Sequence, residues 1–160
     1  IVPLIITAAG MFFFYSKIGL THTYLGLILA HTALGTPFVV ITVTATLTGF
    51  DTNLIRASQS LGADTMRTFF KVIMPLILPG VISGGLFAFI TSFDEVVIVM
   101  FIGSVEQITI PKQMWAGLRQ ETSPVILCMA TCLVALSIAL LTTVEMLRRR
   151  SERLRGIKQR

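Results

Sequence analysis

Charged side chains are scarce in this chain. Of its 160 residues, 13% are Asp, Glu, Lys or Arg, whereas 54% are hydrophobic and the mean hydropathy is +0.83. This balance excludes an ordinary soluble domain, in which about 25% of residues are charged. Cysteine is also rare. Cys128 and Cys132 have the spacing of neither a zinc site nor a redox motif, so we interpret them as small apolar packing residues. The composition predicts an integral membrane protein.

Signatures of catalysis are absent as well. The sequence contains no G-x-x-x-x-G-K-[ST] segment, which excludes ATP binding by a P-loop, and no nucleophile elbow or H-E-x-x-H motif. We therefore predict no catalytic residue, no metal site and no cofactor in this chain. A membrane enzyme that uses carboxylates as general acid and base stays an alternative.

Long apolar segments predict an all-α, polytopic transmembrane helical bundle, because a helix needs about 20 apolar residues to cross a bilayer. The expected spans are residues 1–15, 25–50, 76–102 and 124–143. Pro37 is expected to kink or partly unwind the second span. The chain begins within an apolar run and without Met, which suggests that further spans precede it. We predict a membrane domain at residues 1–147 and a basic tail at residues 148–160.

A polar stretch at residues 52–74 separates the second and third predicted spans. Gly62 is placed to end a first helix in the left-handed conformation, and Asp64 to accept hydrogen bonds from the first amides of a second. Pro75 and Pro79 mark the entry into the next span. Residues at i, i+3, i+4 and i+7 predict two short amphipathic helices, with stripes formed by Leu54, Ala57, Ser58 and Leu61 and by Met66, Phe69, Phe70 and Ile73.

Three segments of this stretch, Arg56-Ala57-Ser58, Gly62 and Val72-Ile73-Met74-Pro75, form a pattern that resembles the EAA loop of permease subunits of binding-protein-dependent ABC importers. The resemblance implies a type I permease fold, with its N-terminal spans missing, and coupling helices that dock on a cytoplasmic ATPase. Arg56 stands where the family has Glu, so a salt bridge from this position would need an acidic partner. The residues assigned to ATPase coupling are Leu54, Arg56, Ala57, Ser58, Leu61, Gly62, Ala63, Met66, Phe69, Phe70 and Pro75.

The same resemblance implies partners and a location. A cytoplasmic ABC ATPase dimer would bind ATP and Mg, and the chain would join a second permease subunit and an extracytoplasmic substrate-binding protein in the bacterial inner membrane. If residues 52–74 and the C-terminus are cytoplasmic, ten of the 13 Lys and Arg residues face the cytoplasm, as the positive-inside rule expects. The tail then adjoins anionic membrane lipid, and no nucleic acid partner is predicted. For residues 52–74, a loop that only joins two spans is the alternative to coupling helices.

Two acids, Asp94 and Glu95, interrupt the third predicted span. A charge at the centre of a span costs about 2.5 to 3.5 kcal/mol on insertion scales, so something must compensate. On a continuous helix, Glu95 lies at the edge of a ridge of small residues that suits close packing of a neighbouring helix, and Asp94 is favoured as the carboxylate that faces the lumen. Pairing of both acids with other spans is the alternative. The ridge consists of Gly80, Gly84, Ala88 and Ser92.

The segment Ser92 to Glu95, SFDE, resembles the corresponding part of spermidine/putrescine-type permeases. This implies a polyamine or a related cationic amine as cargo, moved inward by alternating access that a separate ATPase powers. Permeases for opines, other amino compounds or ferric iron stay alternatives, as does an ion channel in which the acids form a selectivity ring. The candidate residues of the substrate pathway are Thr91, Ser92, Asp94, Glu95 and Trp115.

The outer connection after the third predicted span contains the single tryptophan. Pro111 is placed to begin a short helix that presents Met114, Trp115 and Leu118 together. Trp115 fits an interfacial anchor, or alternatively a gate or a contact with the external binding protein. His31, within the second span, is expected to hydrogen-bond to a neighbouring helix rather than relay protons.

Overall fold

A computed structural model describes residues 3–120 and 124–154, and no strand occurs among them. The chain divides into two compact units, one of residues 1–34 and 90–146 and the other of residues 35–89 and 147–160. A π-helical turn, Phe69–Ile73, precedes α5. The helices of the described residues are α1 (Leu4–Lys17), α2 (Tyr24–Thr48), α3 (Asn53–Ser60), α4 (Thr65–Thr68), α5 (Met74–Phe93), α6 (Val97–Ile102), α7 (Ile110–Gln120) and α8 (Pro124–Leu154).

Helices long and apolar enough to cross a membrane occur at Tyr24–Thr48, Thr65–Phe93 and Pro124–Thr143, while the apolar helix at Leu4–Lys17 is shorter. Many large apolar side chains on these helices are exposed, as lipid-facing residues of a membrane protein are. The predicted all-α membrane fold is confirmed. Residues 1–2 of the first predicted span and residues 155–160 of the predicted tail lie outside the described residues.

The core of the first unit forms around α6. Ile98, Val99 and Ile102 are fully buried, and α6 packs against α1. Ala8 and Tyr15 of α1, together with Ala30 of α2, belong to the same apolar cluster as Ile98 and Ile102. This short helix is therefore an internal element of the unit.

In the second unit, Gly80, Gly84 and Ala88 of the predicted ridge on α5 pack against α2. A methyl group added at Gly84 would lie 2.8 Å from the Cα of Val39, and one added at Gly80 would collide with the side chain of Thr46. One added at Gly35 of α2 would lie 2.8 Å from the Cβ of Ala88. The close approach of the two helices therefore requires glycine, which has no side chain, at these positions.

The expectation of one continuous helix over residues 76–102 is wrong. The helix α5 ends at Phe93, residues 94–96 are not helical, and α6 begins at Val97. The reason is a local hydrogen bond that competes with the helix, because the Glu95 carboxylate binds backbone amides of α6. The two acids consequently lie in a break between helices, so the separate helical faces expected for Asp94 and Glu95 do not apply.

The prolines lie within helices, so neither the unwinding expected at Pro37 nor a helix boundary at Pro75 and Pro79 is observed. The helix continues from Thr65 through Pro75 and Pro79 to Phe93, and α2 is helical through Pro37. Before Pro75 the backbone widens into the π-helical turn, in which the Met74 amide donates to the Phe69 carbonyl. A wider turn accommodates the proline ring and its missing N–H without ending the helix.

Candidate functional site

The connection between α3 and α4 is built from local hydrogen bonds. Gly62 has a φ of +83°, which is the left-handed conformation predicted for it. The Asp64 side chain accepts a hydrogen bond of 2.7 Å from the Arg67 amide, so the predicted N-cap is also confirmed. The Ala63 amide donates to the Ser58 carbonyl at 3.1 Å. Together these bonds fix the turn between the two helices.

A pair of hydroxyl groups joins α3 to α4 directly. The Oγ of Ser58 and the Oγ1 of Thr68 are 2.9 Å apart, and Ser58 also donates to the Ile55 carbonyl at 2.9 Å. Thr68 is buried, although it lies in an otherwise exposed segment. Its role was missed from the sequence because its partner lies ten residues away, beyond the spacing of neighbours on one helix.

The apolar stripes of this segment face outward. Leu61 is 89% exposed, Met66 64% and Phe70 57%, and α3 contains no buried residue. Arg56, which replaces the expected Glu, is exposed as well. We name as the α3–α4 surface the exposed apolar residues Leu54, Ala57, Leu61, Met66 and Phe70. Of the other predicted coupling residues, Phe69 and Pro75 are exposed and Ser58 and Ala63 are half-buried.

The Glu95 carboxylate accepts hydrogen bonds within the break between α5 and α6. The side chain is 5% exposed. Its carboxylate oxygens lie 2.8 and 2.9 Å from the Ile98 amide and one lies 3.3 Å from the Val99 amide, so they accept hydrogen bonds from the second and third residues of α6. These bonds compensate a buried charge. Glu95 therefore serves as the cap of a buried helix.

Asp94 has a different environment, although it is the next residue in the chain. It is exposed, and within the described part of the chain its carboxylate makes no hydrogen bond or ion pair. It lines a cavity of about 460 Å³ beside α7 and α8. Residues that share this cavity with Asp94 include Phe93, Met114, Trp115, Leu118, Val134 and Ser137.

The structure separates the five residues predicted for a substrate pathway into two groups. Asp94 and Trp115 line the same cavity, whereas the described lining does not include Thr91, Ser92 or Glu95. The Ser92 hydroxyl lies 2.8 Å from His31 Nδ1, so it joins α5 to α2, and the expected hydrogen bond of His31 to a neighbouring helix is confirmed. Ser137 was missed. Its hydroxyl in the otherwise apolar middle of α8 was the available signal.

Polar residues around α6 and α7 form a second hydrogen-bond network. The Nζ of Lys112 donates to the carbonyls of Ser104 and Gln107 at 3.0 and 3.1 Å, and the Gln107 side chain accepts from the Ser104 amide at 2.9 Å. His22, which has a φ of +60°, donates its amide to the Ile102 carbonyl at 2.8 Å. These contacts fix the connection after α6, and no periodic pattern in the sequence indicated them.

The helix predicted to begin near Pro111 is present as α7. Pro111 is its second residue. An N–H group at this position would have no carbonyl acceptor within the helix, so proline is tolerated there. Met114, Trp115 and Leu118 lie on the side of α7 that lines the cavity, and Trp115 is 47% exposed. Its role as an anchor, gate or partner contact stays a prediction.

Known proteins resemble this chain over nearly its whole length. Residues 1–153 match the family described as binding-protein-dependent transport system inner membrane component. The chain is 30% identical over 149 residues to the spermidine/putrescine transport system permease protein PotC of Haemophilus influenzae, which is 93% of the chain and 58% of that protein. The PotC protein of Escherichia coli K12 is 29% identical over 147 residues, 92% of the chain and 56% of that protein.

A third relative is the putrescine transport system permease protein PotI of Escherichia coli K12, 32% identical over 106 residues, which is 66% of the chain and 38% of that protein. The chain thus spans little more than half the length of the PotC proteins it matches. The helical membrane architecture agrees with these matches. The chain belongs to the family of binding-protein-dependent transport system inner membrane components.

Proposed function

We propose that this chain forms part of the permease subunit of an ABC importer that moves a polyamine, or a related cationic amine, into the cell. The observation that carries the proposal is the α3–α4 surface. It presents large apolar side chains outward from a polar segment whose turn is fixed by Gly62, Asp64 and the Ser58–Thr68 pair. Exposed apolar groups on an ordered scaffold are typical of a protein interface.

The partner at this surface is a cytoplasmic ABC ATPase dimer, which binds ATP and Mg. Orientation follows from the basic residues, because ten of 13 face the cytoplasm when the α3–α4 surface does. Arg56 is exposed next to the apolar residues of α3 and is available to an acidic group of the ATPase. Nucleotide-driven movement of the ATPase would be transmitted to the spans through α3 and α4.

The cargo is assigned from chemistry and from relatives. The printed names of the two PotC relatives specify spermidine and putrescine, and that of PotI specifies putrescine. In this chain, the exposed Asp94 carboxylate and the Trp115 ring line one cavity. A carboxylate and an aromatic ring are two groups that attract an alkylammonium ion, by ion pairing and by cation–π interaction. Transport would also involve a second permease subunit and an extracytoplasmic binding protein.

Reconstitution of the full-length permease with its ATPase, second permease subunit and binding protein tests this function. We expect uptake of radiolabelled putrescine into proteoliposomes only when ATP is inside together with the ATPase. A catalytically inactive ATPase variant is the control. Equal uptake without ATP would support the ion-channel alternative, and uptake of a neutral or anionic solute in place of putrescine would contradict the assigned cargo.

A further inference from the structure

Two neighbouring acids at the end of α5 have opposite surroundings. Glu95 is buried and its carboxylate is bound to the amides of Ile98 and Val99, whereas Asp94 is exposed in the cavity. One side chain is therefore already used by the protein, and the other is available to a ligand. This division of roles cannot be read from the sequence SFDE alone.

The bonds to Glu95 determine where α6 begins. The N-cap residue of α6 is Val96, whose apolar side chain cannot accept a hydrogen bond, and it makes no side-chain cap. The preceding Glu95 takes over that function with both carboxylate oxygens. Without it, the first amides of α6 would be buried and lack an acceptor.

The position of α6 in turn constrains Asp94. Ile98, Val99 and Ile102 are fully buried, so α6 has little freedom once it is capped. The Asp94 amide still donates to the Ile90 carbonyl of α5 at 3.3 Å. Asp94 is thus held between the last turn of α5 and the capped start of α6.

We infer that Glu95 is a positioning residue: by capping α6 it fixes the helix break that places the Asp94 carboxylate in the cavity, where Asp94 binds one ammonium group of the cargo. This inference rests on the proposed function for the identity of the cargo. The capping role of Glu95 does not depend on it. In this account the positive charge is recognised by Asp94 and not by the pair of acids.

Glu95→Gln is the principal test, made in the full-length transporter in lipid nanodiscs. The amide side chain keeps the size of Glu but has one acceptor oxygen in place of two. Without amine, hydrogen exchange of peptides that cover residues 96–103 should become about tenfold faster, the change expected for loss of a charge-assisted hydrogen bond. In proteoliposomes the apparent KM for putrescine should rise about tenfold, and the maximal rate should stay within about twofold.

Asp94→Asn is the matched variant. It should raise the apparent KM for putrescine at least as much and leave exchange of residues 96–103 unchanged, because α6 keeps its cap. A rescue variant is Glu95→Gln combined with Val96→Thr, since Thr resembles Val in shape and is a favoured N-cap residue. We expect the double variant to restore both slow exchange and the low KM.

Three results would overturn the inference. Unchanged exchange in Glu95→Gln would contradict the capping role, and faster exchange with an unchanged KM would contradict the positioning of Asp94. A double variant with slow exchange but a raised KM would mean that Glu95 itself contacts the amine. If the native transporter takes up no amine, the proposed function and the cargo role of Asp94 fail, and hydrogen exchange then decides the capping role separately. If Glu95→Gln does not fold, the rescue variant, Glu95→Gln with Val96→Thr, is compared with the separate variant Asp94→Asn instead.

Discussion

Helix capping by a carboxylate occurs both in the segment between α3 and α4 and in the break between α5 and α6, but with opposite results. Each is organised by an acidic side chain that caps the following helix: Asp64 accepts from Arg67, and Glu95 accepts from Ile98. Asp64 is exposed and Glu95 is 5% exposed. The first arrangement presents apolar residues outward, and the second buries them.

The apolar residues beside each cap explain the difference. Leu61 is 89% exposed, whereas Ile98 is fully buried against the cluster that includes Ala8 and Tyr15. A capped helix whose apolar side chains stay exposed is suited to binding another protein, whereas one whose apolar side chains are buried is an internal structural element. Capping alone therefore does not indicate function. Whether the apolar side chains beside the cap are exposed or buried does indicate it.

The largest expected effect concerns removal of the buried cap. Glu95→Ala leaves the Ile98 and Val99 amides without their acceptor in the core, so we expect it to lower the free energy of unfolding by about 2 to 4 kcal/mol. Asp64→Ala, at the exposed cap, should cost about 1 kcal/mol. Equilibrium unfolding of the full-length permease in mixed detergent and SDS micelles measures both.

Glu106→Ala is the control for loss of an acidic side chain, since Glu106 is exposed. Its effect should stay within about 0.5 kcal/mol. Equal losses for Glu95→Ala and Asp64→Ala would remove the distinction between a buried joint and an exposed turn.

The next largest effect on the free energy of unfolding is expected on α5, the helix that lies in the chain between the α3–α4 segment and the break before α6. Gly84→Ala would place a methyl group 2.8 Å from the Val39 Cα, and we expect this overpacking to cost about 1 to 3 kcal/mol. At Gly85 an added methyl group meets nothing within 4 Å, so Gly85→Ala should be neutral or stabilise by about 0.5 to 1 kcal/mol. The same unfolding measurement applies. A destabilising Gly85→Ala would show that glycine on α5 is required for some reason other than contact with α2.

A smaller effect is expected from the turn between α3 and α4. Gly62→Ala introduces a Cβ at a φ of +83° with no atom within 4 Å, so the cost is backbone strain alone, about 1 to 2 kcal/mol. Gly10→Ala is the control, because its surroundings are equally open and its backbone is helical. Hydrogen exchange of residues 53–68 reports the change locally. An unchanged exchange rate would mean that the turn does not require its left-handed residue.

The smallest effect is expected at the hydroxyl pair. Thr68→Val keeps the shape of the buried side chain but removes the hydrogen bond to Ser58, which should cost about 0.5 to 1 kcal/mol. Thr65→Val, at an exposed position of the same helix, is the control. A loss above about 2 kcal/mol would place this segment among the tightly packed elements and so weaken the comparison.

The α3–α4 segment was predictable because its determinants are local. A glycine at the end of one helix, an aspartate at the start of the next and apolar residues at helical spacing specify the turn, and the structure contains all three. The ridge of small residues on α5 was likewise visible from its spacing. That its partner is α2 could not be read from the sequence, because pairing depends on residues 34 to 53 positions apart, such as Thr46 and Gly80 or Gly35 and Ala88.

The break after Phe93 was not predictable from the same patterns. The apolar run on both sides of Asp94 and Glu95 is typical of one continuous span, and helical periodicity assigns the two acids to different faces of a helix that does not continue through them. The Glu95 cap is local, but the helix that it caps is buried, and the burial of Ile98 and Ile102 involves residues of α1 and α2 that lie far away in the sequence. Asp94 is exposed, but its place in a substrate pathway stays a prediction, and the helical geometry behind that choice was wrong.

Site-directed cross-linking at residue 61 tests whether the α3–α4 surface binds the ATPase on the cytoplasmic side of the membrane. Leu61 and Val105 are equally exposed, at 89%, but are predicted to lie on opposite sides of the membrane. In a full-length permease in which Cys128 and Cys132 are replaced by Ser, we expect Leu61→Cys to cross-link to the ATPase and to resist an impermeant maleimide added outside the cell. Val105→Cys should react with that reagent and form no ATPase cross-link. Outside labelling of Leu61→Cys, or an ATPase cross-link from Val105→Cys alone, would contradict the account.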